Sequence, residues 1–304
     1  MLTTNGAPQG AGLLAADTGM GAVTLRVADL DGMIRYYRDG VTLDLLSHDG
    51  PVAVLGRGTT PVVILQHAPE LRHASPREAG LFHTAILFDT REALATAIYS
   101  VASRYPGTFT GSADHLVSEA FYFTDPEGNG IELYFDRDRS TWSWVHGTVE
   151  MATEFLDPNG YLREHLGEAG LLAATATDQT PGSRLGDATV GHVHLSVGDV
   201  ASAREFYVER LGFETTAEMG DQALFVSAGG YHHHMAMNVW NSRGAGRRQL
   251  ALGLGKVEIV VPTPDDLGEL GERMAHFGVG ARDDGRTLAF DDPWANLVEV
   301  RAAE

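Results

Sequence analysis

Residues 81–88 form an apolar run, Leu-Phe-His-Thr-Ala-Ile-Leu-Phe, that breaks off before Thr90-Arg91-Glu92. Apolar positions then return at Ala93, Leu94, Ile98 and Val101. Spacings of three and four place those side chains on one face, so the pattern predicts a strand followed by an amphipathic helix. After the helix come Phe121-Tyr122-Phe123, an Asp125-Pro-Glu-Gly-Asn-Gly130 turn and the strand-like Ile131-Glu-Leu-Tyr-Phe135. The unit reads strand, helix, then several strands.

The same pattern recurs. Ala22-Val-Thr-Leu-Arg-Val-Ala-Asp29 matches His192-Val-His-Leu-Ser-Val-Gly-Asp199, and each run is followed by a helical segment with an aromatic pair. Those pairs are Tyr36-Tyr37 and Phe206-Tyr207, at the same offset as the strands. Residues 83–94 align without gaps on residues 256–267, and the Asp125 turn with Glu132 corresponds to the Asp292 turn with Glu299. A repeat of this kind decides the fold reading. The expectation is α+β, with four βαβββ units in two domains at residues 20–137 and 188–304. A flexible arm, 1–19, precedes them. A connector, 138–187, read mostly as a helix plus loops, bridges them, with Trp142, Trp144 and a Pro158-Asn159-Gly160 turn.

Composition narrows the chemistry. The 304 residues carry 41 acidic and 22 basic side chains, a net charge of −19 that repels phosphate backbones and anionic lipid. Nucleic acid and membrane are therefore not expected partners. No cysteine is present, which excludes disulfides, thiolate zinc sites, iron–sulfur clusters and a cysteine nucleophile. Any metal must be held by nitrogen and oxygen. No stretch approaches the roughly 20 apolar residues that span a bilayer, and residues 1–19 lack the charged start of a secretory signal. A soluble, cytoplasmic protein is expected.

Three motifs then carry a resemblance: Gly191-His192-Val-His194-Leu, Gly229-Gly-Tyr-His-His-His234, and Asp114-His-Leu-Val-Ser with Tyr122, Asp125-Pro, Gly128-Asn and Glu132. Together they resemble the vicinal oxygen chelate superfamily of glyoxalases, bleomycin-resistance proteins and type I extradiol dioxygenases, over nearly the whole chain from about residue 20. The likeness is strongest to the two-domain catechol 2,3-dioxygenases. It implies two vicinal oxygen chelate domains with curved mixed sheets. Metal ligands would sit on the first and last strands of a unit.

Carried over by position, the first-strand places hold Ala22, His83, His192 and Lys256, and the last-strand places of the second and fourth units hold Glu132 and Glu299. The resemblance then implies a metal centre of His83, His192 and Glu132, the two-histidine, one-carboxylate set of non-haem Fe(II) oxygenases. Mn(II) is the other candidate ion. Extradiol enzymes of the family usually take all three ligands from the two C-terminal units, and Lys256 departs from that pattern. Pairing of the second and third units puts the metal between the sequence halves. His194 shares a face with His192 by the period of two and competes as a ligand. Glu299, without histidine partners, is read as structural.

Further from the metal, the resemblance assigns the acid–base role to His234, with His232 and His194 as alternatives. Imidazole, with an unperturbed pKa of about 6.5, can take and return a proton. Tyr122 is the expected hydrogen-bonding partner of the substrate, and His115 a further pocket histidine. The reaction implied is extradiol cleavage of catechol or a substituted catechol by O₂ at one Fe(II), giving a 2-hydroxymuconic semialdehyde. The partners are then a small aromatic diol and O₂, in a homo-oligomer. A glyoxalase-like isomerase and a non-catalytic binding protein of the bleomycin-resistance type are the competing readings.

Overall fold

The computed structural model describes residues 12–176 and 185–303. The chain forms two large mixed sheets and one small hairpin, Trp144–Val145 with Thr148–Val149. Within each unit the first strand pairs in parallel with the last: Val23–Val27 with Thr60–His67, Gly80–Phe88 with Gly130–Asp136, Ala188–Ser196 with Met235–Asn238, and Gly253–Val261 with Leu297–Ala302. A parallel pair needs a crossover. In each unit a helix supplies it. The helix Arg91–Arg104 is capped by Thr90, whose side chain accepts from the Ala93 N–H, and it buries Leu94, Ile98 and Val101. These are the positions the spacing predicts.

The sheets cross the sequence halves. Gly80–Phe88 of the second unit pairs antiparallel with Ala188–Ser196 of the third, and Gly253–Val261 of the fourth with Val23–Val27 of the first. Each half thus contributes one unit to each curved mixed sheet. The repeated aromatic pairs tie the sheets together. They lie in π-helical turns, Tyr36–Gly40 and Glu205–Arg210. Tyr37 donates to the buried Asp125 at 3.2 Å and Tyr207 to the buried Asp292 at 3.0 Å. In both halves the tyrosine of one sheet therefore grips the last turn of the other.

Two expectations change here. The arm is anchored over its described part: Gly19–Met20 pairs with Ile259 and Val260, Leu14 donates its N–H to Gly212 O at 2.9 Å, and Thr18 is buried. Backbone pairing to a central strand holds what composition alone suggests is loose. Residues 1–11 lie outside the described residues. Second, Pro158-Asn159-Gly160 is no free turn but the start of the helix Pro158–His165. Asp157 caps it and Pro stands in its first turn, where the missing N–H costs nothing. A second connector helix, Glu168–Thr175, follows. Among the described residues, no helix is long and apolar enough to cross a membrane.

Candidate metal centre

The central antiparallel pair of the eight-stranded sheet sets the geometry. His194 is opposite His83 and His192 opposite Ala85, with a bulge between Val190 and His192. Gly191 makes that bulge: a Cβ there would lie 1.6 Å from the Tyr134 hydroxyl. Glu132 pairs with Ala85 on one side and Tyr122 on the other. Facing residues in paired strands share a face, so His83, His192, Glu132, Tyr122 and His194 all project to one side.

There three of them converge. Glu132 Oε2 lies 3.0 Å from His83 Nε2 and 3.2 Å from His192 Nε2. Donor atoms of the three lie within 4.8 Å of one another, and all three residues are buried. Burial alone would raise the Glu132 pKa, but His192 and then His83 outweigh it and hold the carboxyl well below its ordinary range. Burial pushes His192 down to about 4, against the pull of Glu132. His192 faces Glu132 with Nε2, and its Nδ1 is buried with no hydrogen-bond partner among the described residues. Two imidazole nitrogens aimed at one carboxylate oxygen fit a divalent cation. Fe(II) and Mn(II) both accept this donor set.

Tyr122 and His115 also meet. His115 Nδ1 lies 2.6 Å from the Ala152 carbonyl, which can only accept, so that nitrogen carries the proton. Nε2 then accepts from the Tyr122 hydroxyl at 2.7 Å. Burial, reinforced by Glu132, raises the Tyr122 pKa well above its ordinary value, so the phenol stays protonated. The His194 ring lies 4.9 Å from that of His83, yet its Nε2 accepts from the Asn238 side chain at 3.0 Å. It also packs on Phe82 and Trp240. It is a wall of the site rather than a member of the triad.

His234 departs from expectation. Its ring packs on Tyr231 and Phe213, and its Nδ1 accepts from the Ala228 N–H at 3.2 Å. It is His233 whose ring lies against His192, 4.1 Å between centroids. Gly229 and Gly230 both have positive φ, and regular strand resumes only at Met235–Asn238. A period of two cannot be carried through residues 231–234, so a histidine's place in the motif does not fix the direction of its side chain. The glycine pair is the signal that marks this break. His232, the alternative, packs on Tyr231 and Trp142.

The equivalent place in the other sheet holds no histidine. Lys256 Nζ lies 2.5 Å from Glu299 and 3.5 Å from Glu258, and Arg301 bonds Glu258 at 2.7 Å. An ammonium fills the position of a metal. In the third unit Ala236 is opposite His194, as Glu132 is opposite Ala85, so the place of a fourth ligand offers no donor atom. A cavity of about 370 Å³ opens beside this site, lined by Leu81, Phe82, Asn129, Ser196 and Arg248. The triad does not line it, but Phe82, which does, touches His83 and His194.

Comparison with known proteins places this geometry. The family model for the Glyoxalase/Bleomycin resistance protein/Dioxygenase superfamily matches residues 19–133 and 189–300. A Bacillus subtilis (strain 168) protein named catechol-2,3-dioxygenase is 34% identical over 282 residues, covering 91% of this chain and 94% of its own. Among solved structures, a Bacillus subtilis protein provisionally described as a dioxygenase superposes with a TM-score of 0.62 at 15% identity, over 95% of this chain and 86% of its own. Glyoxalase I from Zea mays superposes with a TM-score of 0.54 at 18% identity, over 94% and 92%. At such identities the structures speak for the fold alone. The repeated βαβββ units, the sheets formed across the halves and these matches show that the chain belongs to the Glyoxalase/Bleomycin resistance protein/Dioxygenase superfamily.

Proposed function

We propose that the chain cleaves catechol or a substituted catechol with O₂, next to the diol, at a single Fe(II) held by His83, His192 and Glu132. The ring-opened product is a 2-hydroxymuconic semialdehyde. One observation carries the reading: two imidazoles and one carboxylate converge in a buried site within 4.8 Å. A curated relative at 34% identity that bears the name of a catechol dioxygenase supports it. Fe(II), when bound, supplies open coordination positions and the redox chemistry with O₂.

The residues supply the rest. Because Tyr122 donates to His115, its oxygen keeps its lone pairs free to accept from a diol hydroxyl. His233, beside His192, takes the proton of a diol hydroxyl and returns it to an oxygen of the ring-opened product. Phe82, His194 and Trp240 pack together beside His83. A cytoplasmic setting and self-association belong to the same reading.

The test is metal exchange. Protein stripped of metal and reloaded without oxygen with Fe(II), Mn(II) or Zn(II) should consume O₂ on addition of catechol in air only with a redox-active ion. Turnover with Zn(II) would mean that the metal has no redox role. Ring-cleavage inactivity with both Fe(II) and Mn(II) bound would refute the proposal. A glyoxalase-type isomerase needs a fourth protein ligand, and Ala236 supplies none.

A further inference from the structure

We infer that Asp136 and His232 are positioning residues for His233, fixing its tautomer and the orientation of its ring. The inference rests on the reading of His233 as the proton carrier. Asp136 Oδ1 lies 3.0 Å from His232 Nε2, and His232 Nδ1 lies 2.8 Å from His233 Nδ1. An ionised carboxylate only accepts, so His232 carries its proton on Nε2. Its Nδ1 is then a lone pair. A second lone pair facing it at 2.8 Å would repel, so His233 donates from Nδ1 and keeps Nε2 unprotonated. The opposite assignment would leave a bare His232 Nε2 against the carboxylate. For a neutral His232 the chain of contacts permits one tautomer.

Its anchor is well held. The other Asp136 oxygen accepts from Tyr231 at 2.8 Å, which leaves Tyr134 to donate to Tyr231 at 2.7 Å. Trp142 of the connector packs on both Tyr231 and His232. Glu132, Tyr134 and Asp136 alternate along Gly130–Asp136 and share a face. One strand therefore presents a metal ligand and, four residues on, the group that orients the base. His232 is wholly buried and His233 nearly so, which prevents water from replacing either bond.

The first readout is spectroscopic. Long-range ¹H–¹⁵N correlation on metal-free, histidine-labelled protein should show His232 protonated at Nε2 and His233 at Nδ1. In Asp136→Ala the His233 signal should become a tautomer mixture. The second is kinetic, on Fe(II)-loaded protein. Removing a group that orients a site residue typically costs about 10–100-fold in activity, so Asp136→Ala and His232→Leu should lose that much kcat, with KM and iron content nearly unchanged. His232→Asn should recover most of it, because its amide oxygen can accept from His233 Nδ1. Asp136→Ala should cost nothing further in a His233→Ala background. A His233 protonated at Nε2 in the wild type, or full kcat in both Asp136→Ala and His232→Leu, would overturn the inference. If Asp136→Ala fails to fold, the His232→Leu and His232→Asn contrast decides it. A wild-type rate in His233→Ala would instead remove the proton carrier itself, with the tautomer spectrum still judging the relay.

Discussion

The rings of His192 and His233 lie 4.1 Å apart, centroid to centroid, so the proposed base stands directly against a proposed metal ligand. The two come from different kinds of backbone: His192 from a regular strand after a bulge, His233 from an irregular turn after two left-handed glycines. Proton transfer by a positioned side chain typically contributes about 10²–10⁴-fold. His233→Ala should therefore keep stoichiometric iron yet lose kcat within that range. Iron content and single-turnover cleavage on one anaerobic preparation check it. Loss of iron would make His233 a ligand instead.

His234 should matter to stability and not to chemistry. Its Nδ1 accepts a backbone N–H, which only a neutral ring can do, and burial pushes its pKa down to about 3. The unfolded chain binds a proton here below about pH 6.5, and the folded one not until about pH 3. Stability is thus fully present at neutral pH and falls as pH drops through that window, by about 5 kcal/mol at the acid end. His234→Asn, whose amide oxygen can accept the same N–H without titrating, should turn over catechol normally and lose less stability toward acid. Denaturant unfolding of both proteins from pH 7 to pH 4 measures this. Parallel curves would contradict it.

Glu132 and Glu299 occupy equivalent places and should behave oppositely. Glu132→Ala leaves two imidazoles without their carboxylate, and metal retention should vanish. Glu299 faces Lys256, so Glu299→Ala should leave the metal in place. Elemental analysis after dialysis separates the two. Metal lost from Glu299→Ala alone would move the centre to the other sheet.

Much of this was legible from residues alone. The offset between Ala22 and His192, matched by Tyr37 and Tyr207, announced the repeated unit. The family resemblance, carried over that repeat, implied the places of His83, His192 and Glu132, and the structure brings these three together. The face of His233 was not legible, because strand alternation holds only where the backbone is extended, and Gly229-Gly230 ends that regularity. Nor was Asp136: nothing in its local sequence reveals a partner 96 positions away. The anchoring of Gly19–Met20 depends on Ile259 and Val260, and that of Leu14 on Gly212, partners that only the assembled fold provides.

Tyr122 and His115 should act as a unit. Tyr122→Phe removes the bond to His115 and one potential contact to the diol, while the ring stays packed. A single hydrogen bond is worth about 0.5–1.5 kcal/mol net, so kcat/KM should fall roughly 2–10-fold, much less than for His233→Ala. His115→Ala should give a loss of similar size, and the double variant should be little worse than either alone. Steady-state kinetics on the three proteins tests the coupling. Fully additive losses would separate the two residues.

The claim that the triad performs ring cleavage is tested most directly by one single-turnover experiment. Protein loaded anaerobically with one Fe(II) per chain is mixed with one equivalent of catechol, then with O₂, while oxygen consumption and the absorbance spectrum are followed together. The account predicts one O₂ consumed per catechol and a yellow ring-opened semialdehyde, with neither signal in Glu132→Ala. Catechol recovered intact from iron-loaded wild-type protein, with its Fe(II) still reduced, would contradict it.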